Sequence, residues 1–171
     1  MTMIVSAAVL AAGCGSNGSG FKYTGDQFAD AKIIRYQVPG WDELSLQQKE
    51  YAYHLAEAAK WGRDILWDQN CRHNLQLRHA VEDILENYAG DRKCSEFEAF
   101  TEYAKRLFFS NGIHHHYAED KFFPSCEASY FQKLLDSVGH GEESAFLVDY
   151  VYNPEVCPQR RSTASDGDIV A

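Results

Sequence analysis

The sequence predicts a mainly α-helical chain. Three observations carry that expectation. Two capping-box signals are present, Ser45-Leu46-Gln47-Gln48 and Ser95-Glu96-Phe97-Glu98; apolar residues recur at three- and four-residue spacing behind each; and the one β-branched and aromatic run, 33–38, is cut short by Pro39-Gly40. With 171 residues, 45% hydrophobic and 13% aromatic, the chain has apolar material for one packed domain and too mixed a charge for wholesale disorder.

Residues 1–14, M-T-M-I-V-S-A-A-V-L-A-A-G-C, are uncharged and apolar, too short to span a bilayer, and run into a 15–20 linker, G-S-N-G-S-G. They read as an export signal. Ala11-Ala12-Gly13-Cys14 resembles a bacterial lipoprotein signal, in which small residues let a peptidase reach the backbone and the Cys14 thiol takes a lipid anchor. The match is partial, because Leu10 stands four places before the cysteine and no Lys or Arg precedes the apolar run. The plainer alternative is a buried N-terminal segment. The expected location is accordingly exported, periplasmic or membrane-anchored, with membrane contact only through Cys14.

Beyond the linker, 21–30 is a mixed segment and 33–38 reads as an extended stretch or edge strand. Ser45 opens a helix running to about Gln69, whose stripe is Tyr51, Leu55, Ala58, Ala59, Gly62, Ile65 and Leu66. A second helix is expected over 73–88, with Leu77, Val81, Ile84, Leu85 and Tyr88 at helical spacing and Ala89-Gly90 as its stop. A third starts at the Ser95 box, carries Phe97, Phe100, Ala104, Leu107 and Phe108, and ends at Asn111-Gly112, the pair best able to take a positive φ. Two shorter helices follow, 127–138 and 142–152, on either side of Gly139-His140-Gly141.

A formal charge of -9 excludes a nucleic-acid backbone as a natural partner, and the densest basic pair, Arg160-Arg161, lies in a polar tail. No H-E-x-x-H, G-x-S-x-G or Gly-rich phosphate loop is present. Besides Cys14, the cysteines are Cys71, Cys94, Cys126 and Cys157, without a C-x-x-C pair. An exported chain could form two disulfides from them, but free buried thiols are the simpler state. The helix face bearing Arg63, Asp64, Asp68 and Gln69 reads as ion-paired anchoring, with a cleft-facing role as the alternative.

His114, His115 and His116 are the densest cluster of titratable rings. On an extended segment His114 and His116 share one face and His115 takes the other. That H-x-H pair is the one metal-binding alternative here, and it would need a further ligand such as Glu119, Asp120 or His140, none selected by spacing.

Five stretches go beyond pattern. F-K-Y-T-G-D-Q-F-A-D (21–30), I-I-R-Y-Q-V-P-G-W (33–41), G-R-D-I-L-W-D-Q-N (62–70), L-F-F-S-N-G-I-H-H-H-Y (107–117) and F-L-V-D-Y-V-Y-N-P-E (146–155) occur in order from Phe21 onward. Together they resemble the N-terminal part of bacterial dipeptidyl peptidase III, as found in Bacteroides-like bacteria. The resemblance implies a helical part-lobe of a two-lobed zinc exopeptidase that removes dipeptides from the N-terminus of short peptides. The family's zinc sits on an H-E-x-x-G-H motif and a later glutamate, and neither occurs between Met1 and Ala171.

The expected reading is therefore a fragment, 21–171, inactive alone and holding no zinc itself. Its partners would be short peptides and the remainder of the enzyme. Asn111, His114, His115, His116 and Tyr117 are its candidate cleft residues, and no catalytic residue is expected. The alternative is a lipid-anchored helical module that binds peptides without catalysis.

Overall fold

In the computed structural model the described residues are 20–160; the Cys14 signal and Arg161 to Ala171 lie outside them. The described chain is mainly α-helical, as the periodicity predicts. Two short strands, β1 (Thr24–Phe28) and β2 (Ala31–Ile34), precede a 3₁₀ turn (Trp41–Glu43). Six helices follow: α1 (Leu46–Trp61), α2 (Arg63–Asn70), α3 (Asn74–Asn87), α4 (Ser95–Ser110), α5 (Ala128–Ser137) and α6 (Gly141–Tyr152).

The extended run at 33–38 is half of an antiparallel hairpin that starts earlier. β2 pairs Thr24 with Ile34 and Phe28 with Ala31, and residues 35–38 lie beyond it. β1, T-G-D-Q-F, has little β-branched content, so its strand character comes from pairing with β2 rather than from propensity. The reversal at Ala29, φ 46, closes the hairpin.

The helix expected over 45–69 is two helices. Its start is as predicted: Ser45 accepts from the Gln48 amide at 3.3 Å, and the Gln48 side chain accepts from the Ser45 amide at 2.9 Å. At Gly62, a weak helix former, the N–H turns back to Ala59 O at 3.2 Å, and α2 restarts one residue later. The second capping box does not form. Cys94 takes the N-cap backbone position, Ser95 is already inside the helix, and its hydroxyl donates to Glu96 Oε2 at 2.9 Å.

The core lies between α3, α4, α5 and α6. Leu77, Val81 and Ile84 of α3, Phe100, Ala104 and Leu107 of α4, Phe131, Leu134 and Leu135 of α5, and Leu147, Tyr150 and Val151 of α6 are all buried. Each large apolar side chain here contributes about 1.5–3 kcal/mol relative to exposure. Tyr103, buried on α4, is an addition to the predicted stripe. Helix α3 ends without a left-handed glycine: Tyr88 leaves the helix in extended conformation, and Arg92 donates to the carbonyls of Leu85, Glu86 and Tyr88. Gly90 is needed for another reason, since a Cβ there would come within 2.2 Å of the Tyr88 hydroxyl.

The stripe predicted for α1 is not buried. No residue of α1 is buried, and Tyr51 (65% exposed), Leu55 (53%), Ile65 (59%) and Leu66 (52%) all face outward. What α2 buries is Trp67, with Phe108 edge-on to it and the Arg78 guanidinium over its ring. Arg78 also pairs with Asp64 at 2.6 Å, so one of the charges on this helix face anchors α2 to α3, as the ion-pair reading expects.

Candidate functional site

The predicted loop begins where α4 stops. Asn111 takes the left-handed conformation, φ 52, and its N–H and that of Gly112 both return to Leu107 O. Two asparagines outside the loop then fix its path. Asn70 Nδ2 donates to Asn111 O at 2.9 Å, and Asn74 Oδ1 accepts both the Ile113 N–H at 3.3 Å and the Tyr150 hydroxyl at 3.0 Å. Gly112, φ 149, must be glycine: a Cβ would sit 2.2 Å from Asn74 Nδ2.

From Ile113 the chain pairs with 119–122 rather than running free. Phe122 N–H donates to Ile113 O, His115 N–H to Asp120 O, and Glu119 N–H to His115 O. The segment therefore turns at 115–119, and the strict alternation expected for three extended histidines fails. His115 and His116 rings lie against each other, centroids 4.5 Å apart, instead of on opposite faces.

Each histidine has its own environment. His114 is buried, and its Nε2–H donates to Cys157 O at 2.7 Å, which leaves Nδ1 unprotonated and without a partner inside the protein. Burial pushes this imidazole below its ordinary range; the Cys157 bond opposes that, while Lys121 and Arg160 reinforce it. It is a neutral ring at pH 7.

His115 Nδ1 accepts the N–H groups of Tyr117 and Ala118 at 3.2 and 3.1 Å, so its proton sits on Nε2, 3.3 Å from Asp30 Oδ2. His116 stands edge-on to Phe109, and partial burial followed by its His115 neighbour lowers its pKa. Tyr117 is 85% exposed and closes the turn.

Asp30, at the tip of the hairpin, also faces Arg106 at 3.7 Å, and Phe28 packs edge-on to Phe109. Hairpin, α4 and histidine loop thus meet at one seam. The space they enclose is about 10 Å³, room for roughly one water. It cannot admit a peptide. Two wider hollows lie elsewhere. One of about 520 Å³ is lined by Gln27, Phe28, Arg92, Phe97, Thr101 and Lys105; the other, about 460 Å³, by Phe21, Tyr36, Gln37, Val38, Trp41 and Asp42. Both are in the size range of small-ligand sites.

Several residues that hold the site escape pattern reading. Lys121 is buried, and its ammonium donates to Tyr150 O, Asn153 O and Val156 O at 2.7, 2.7 and 2.8 Å. In E-D-K-F-F it looks like an ordinary surface charge. His140 lies apart from the loop, bonded to Asp83 at 2.8 Å and to Glu143, which also takes Gln76. Among the described residues, no three His, Cys, Asp or Glu side chains form a group able to hold a metal ion. None of the described helices is long and apolar enough to cross a membrane. No protein-family model matches the chain, and no curated protein matches it.

Proposed function

We propose that this chain is an N-terminal part-lobe of a dipeptidyl peptidase III-like zinc exopeptidase, exported and anchored through Cys14. It supplies scaffold and cleft wall and is inactive alone. The observation that carries the reading is a set of exposed large apolar side chains. Tyr36 (84% exposed), Val38 (65%), Ile65 and Leu66 are large apolar side chains turned to solvent, and all four belong to two of the stretches that resemble the family. Large apolar side chains exposed in such numbers favour a contact with further protein. Dipeptide release would then need the zinc motif carried by the remainder, with short peptides as substrate.

Within such an enzyme the chain's own residues would position rather than react. Asn70, Asn74 and Lys121 hold the 111–121 loop rigid, and His114 is sealed behind it. Of the other candidate cleft residues Tyr117 is exposed, while Asn111, His115 and His116 are half-buried, and cleft wall is the role proposed for them.

The direct test incubates the purified chain with zinc and a dipeptidyl-arylamide. The expected result is no turnover; steady hydrolysis abolished by a chelator would overturn the reading. Coding sequence that continues past Ala171 into an H-E-x-x-G-H motif supports it, and mass spectrometry of the mature N-terminus tests the Cys14 anchor. Peptide affinity together with a stop codon directly after Ala171 would favour the non-catalytic binding module instead.

A further inference from the structure

The β1–β2 hairpin, 24–34, is paired along its own length but holds the rest of the domain only lightly. Thr24 faces Ile34, Phe28 faces Ala31, and the Arg35 N–H extends the ladder to Tyr23 O at 2.7 Å. None of its residues is buried, and among the described residues no backbone hydrogen bond joins it to a helix. Whatever fastens it lies on the surface.

Charged contacts do most of that fastening. Lys105 of α4 donates to Asp26 Oδ2 at 3.0 Å, and its ammonium lies 5.8 Å from the centre of the Phe28 ring. At the reversal, Asp30 meets Arg106 of α4 at 3.7 Å with one oxygen and His115 Nε2 at 3.3 Å with the other. Phe28 stands edge-on to Phe109 with centroids 6.0 Å apart, and that pair is the apolar part of the attachment. The side chains of Asp26 and Asp30 are 60% and 59% exposed, so their ion pairs stand in water, where dissolved salt weakens them. A segment with so little buried apolar contact belongs to the low end of local stability and opens before the helices do.

The hairpin also stands over two spaces. Its Gln27 and Phe28 form one wall of the hollow of about 520 Å³, opposite Phe97, Thr101 and Lys105 of α4. Its Phe28, Asp30 and Ala31 close the narrow seam that contains His115 and His116. We propose that the hairpin is an ionic strap: latched through Asp26 and Asp30 it shuts the seam, and released it uncovers His115 and His116 and opens the hollow along α4. Residues 36–40, which lead from it toward the helices, are exposed and belong to no strand, so the hairpin turns as a unit with its own ladder intact. The strap rests on the hairpin's contacts and is independent of the peptidase reading.

The test acylates the histidines of the full chain with diethylpyrocarbonate in about 20 mM and about 500 mM sodium chloride and maps the products by mass, with the exposed His54 of α1 as internal reference. His116 is the reporter, since partial burial and then its His115 neighbour lower its pKa and leave the ring neutral and reactive at pH 7. Its modification rate relative to His54 should rise by about threefold or more at the higher salt. Asp26→Asn combined with Asp30→Asn should reach the faster rate at low salt already, with unchanged circular dichroism. The exchange of Asp26→Lys with Lys105→Asp should restore protection at low salt, which loss of a merely structural aspartate would not allow. A parent ratio that does not change with salt, or protection that survives in the double variant, overturns the strap. Fast modification of the parent at low salt overturns it as well, because the latch would then hold nothing shut.

Discussion

Replacing Lys121 with methionine should cost this domain much of its stability. The ammonium is buried and its three donors meet three carbonyls, at Tyr150, Asn153 and Val156, between 2.7 and 2.8 Å. Two of those residues lie at the C-terminal end of α6, where carbonyls lack intrahelical partners and a cation also answers the helix dipole. At roughly 1.5–3 kcal/mol for each hydrogen bond to a charged group, the gross gain is about 4.5–9 kcal/mol. Burying an ammonium costs several kcal/mol in return, which leaves a net loss of about 2–4 kcal/mol on mutation, or about 6–12 °C in Tm. Methionine keeps the volume, so a cavity does not confuse the result. Urea unfolding followed by circular dichroism measures the change. A variant within about 0.5 kcal/mol of the parent would refute the claim that this lysine fastens the 153–156 carbonyls to the loop.

Gly112→Ala should lose about 2–4 kcal/mol by the same assay, because the new methyl group meets Asn74 Nδ2 and the backbone stays at φ 149. His140 links α3 to the α5–α6 turn, and although burial lowers its pKa, the bonds to Asp83 and Glu143 outweigh burial and raise it. A base whose folded pKa is raised stabilises below its unfolded pKa and loses that contribution as pH rises through the folded one. The parent's urea midpoint should therefore exceed that of His140→Gln by more at about pH 5.5 than at about pH 8.5, and an equal gap at both refutes the linkage. Leu55→Glu and Leu66→Glu should each change stability by less than about 0.5 kcal/mol while reducing self-association and dye binding; a loss above that range would mean the face is covered.

Much of this fold is legible because α3 and α4 carry their stripes on the side that the structure buries. Leu77, Val81, Ile84, Phe97, Phe100 and Leu107 all point into the core, and Asn111-Gly112 ends α4 in the predicted way. Local chemistry also decided Ser45, whose hydroxyl and Gln48 satisfy each other within one turn. It misled at Ser95, where the same letters begin one residue too late because Cys94 already holds the cap position. The candidate loop was legible in place but not in geometry. Its turn depends on Asp120 and Phe122 returning to pair with it, and on amides from Asn70 and Asn74, about forty residues away, as the separations of 41 and 39 record. Single-sequence periodicity holds no term for such contacts.

The case of α2 shows what periodicity can and cannot tell. Asp64 and Trp67, three apart, share the side that meets Arg78 of α3, while Ile65 and Leu66 continue the outward stripe of α1. A helix needs one apolar face to dock on a domain, and α2 has two: one spent on the core, the other 59% and 52% exposed at its leading residues. Helices apolar on more than one side normally lie between two layers of protein. Spacing marked Ile65 and Leu66 as part of a buried stripe, which the structure leaves exposed, and did not include Trp67, the residue that α2 buries. It was silent on whether anything buries the second face, since spacing along one helix carries no information about what lies beyond that helix. The Leu66→Glu variant separates the two possibilities: unchanged stability with reduced self-association means that this face awaits a partner, and lost stability means that the chain already covers it.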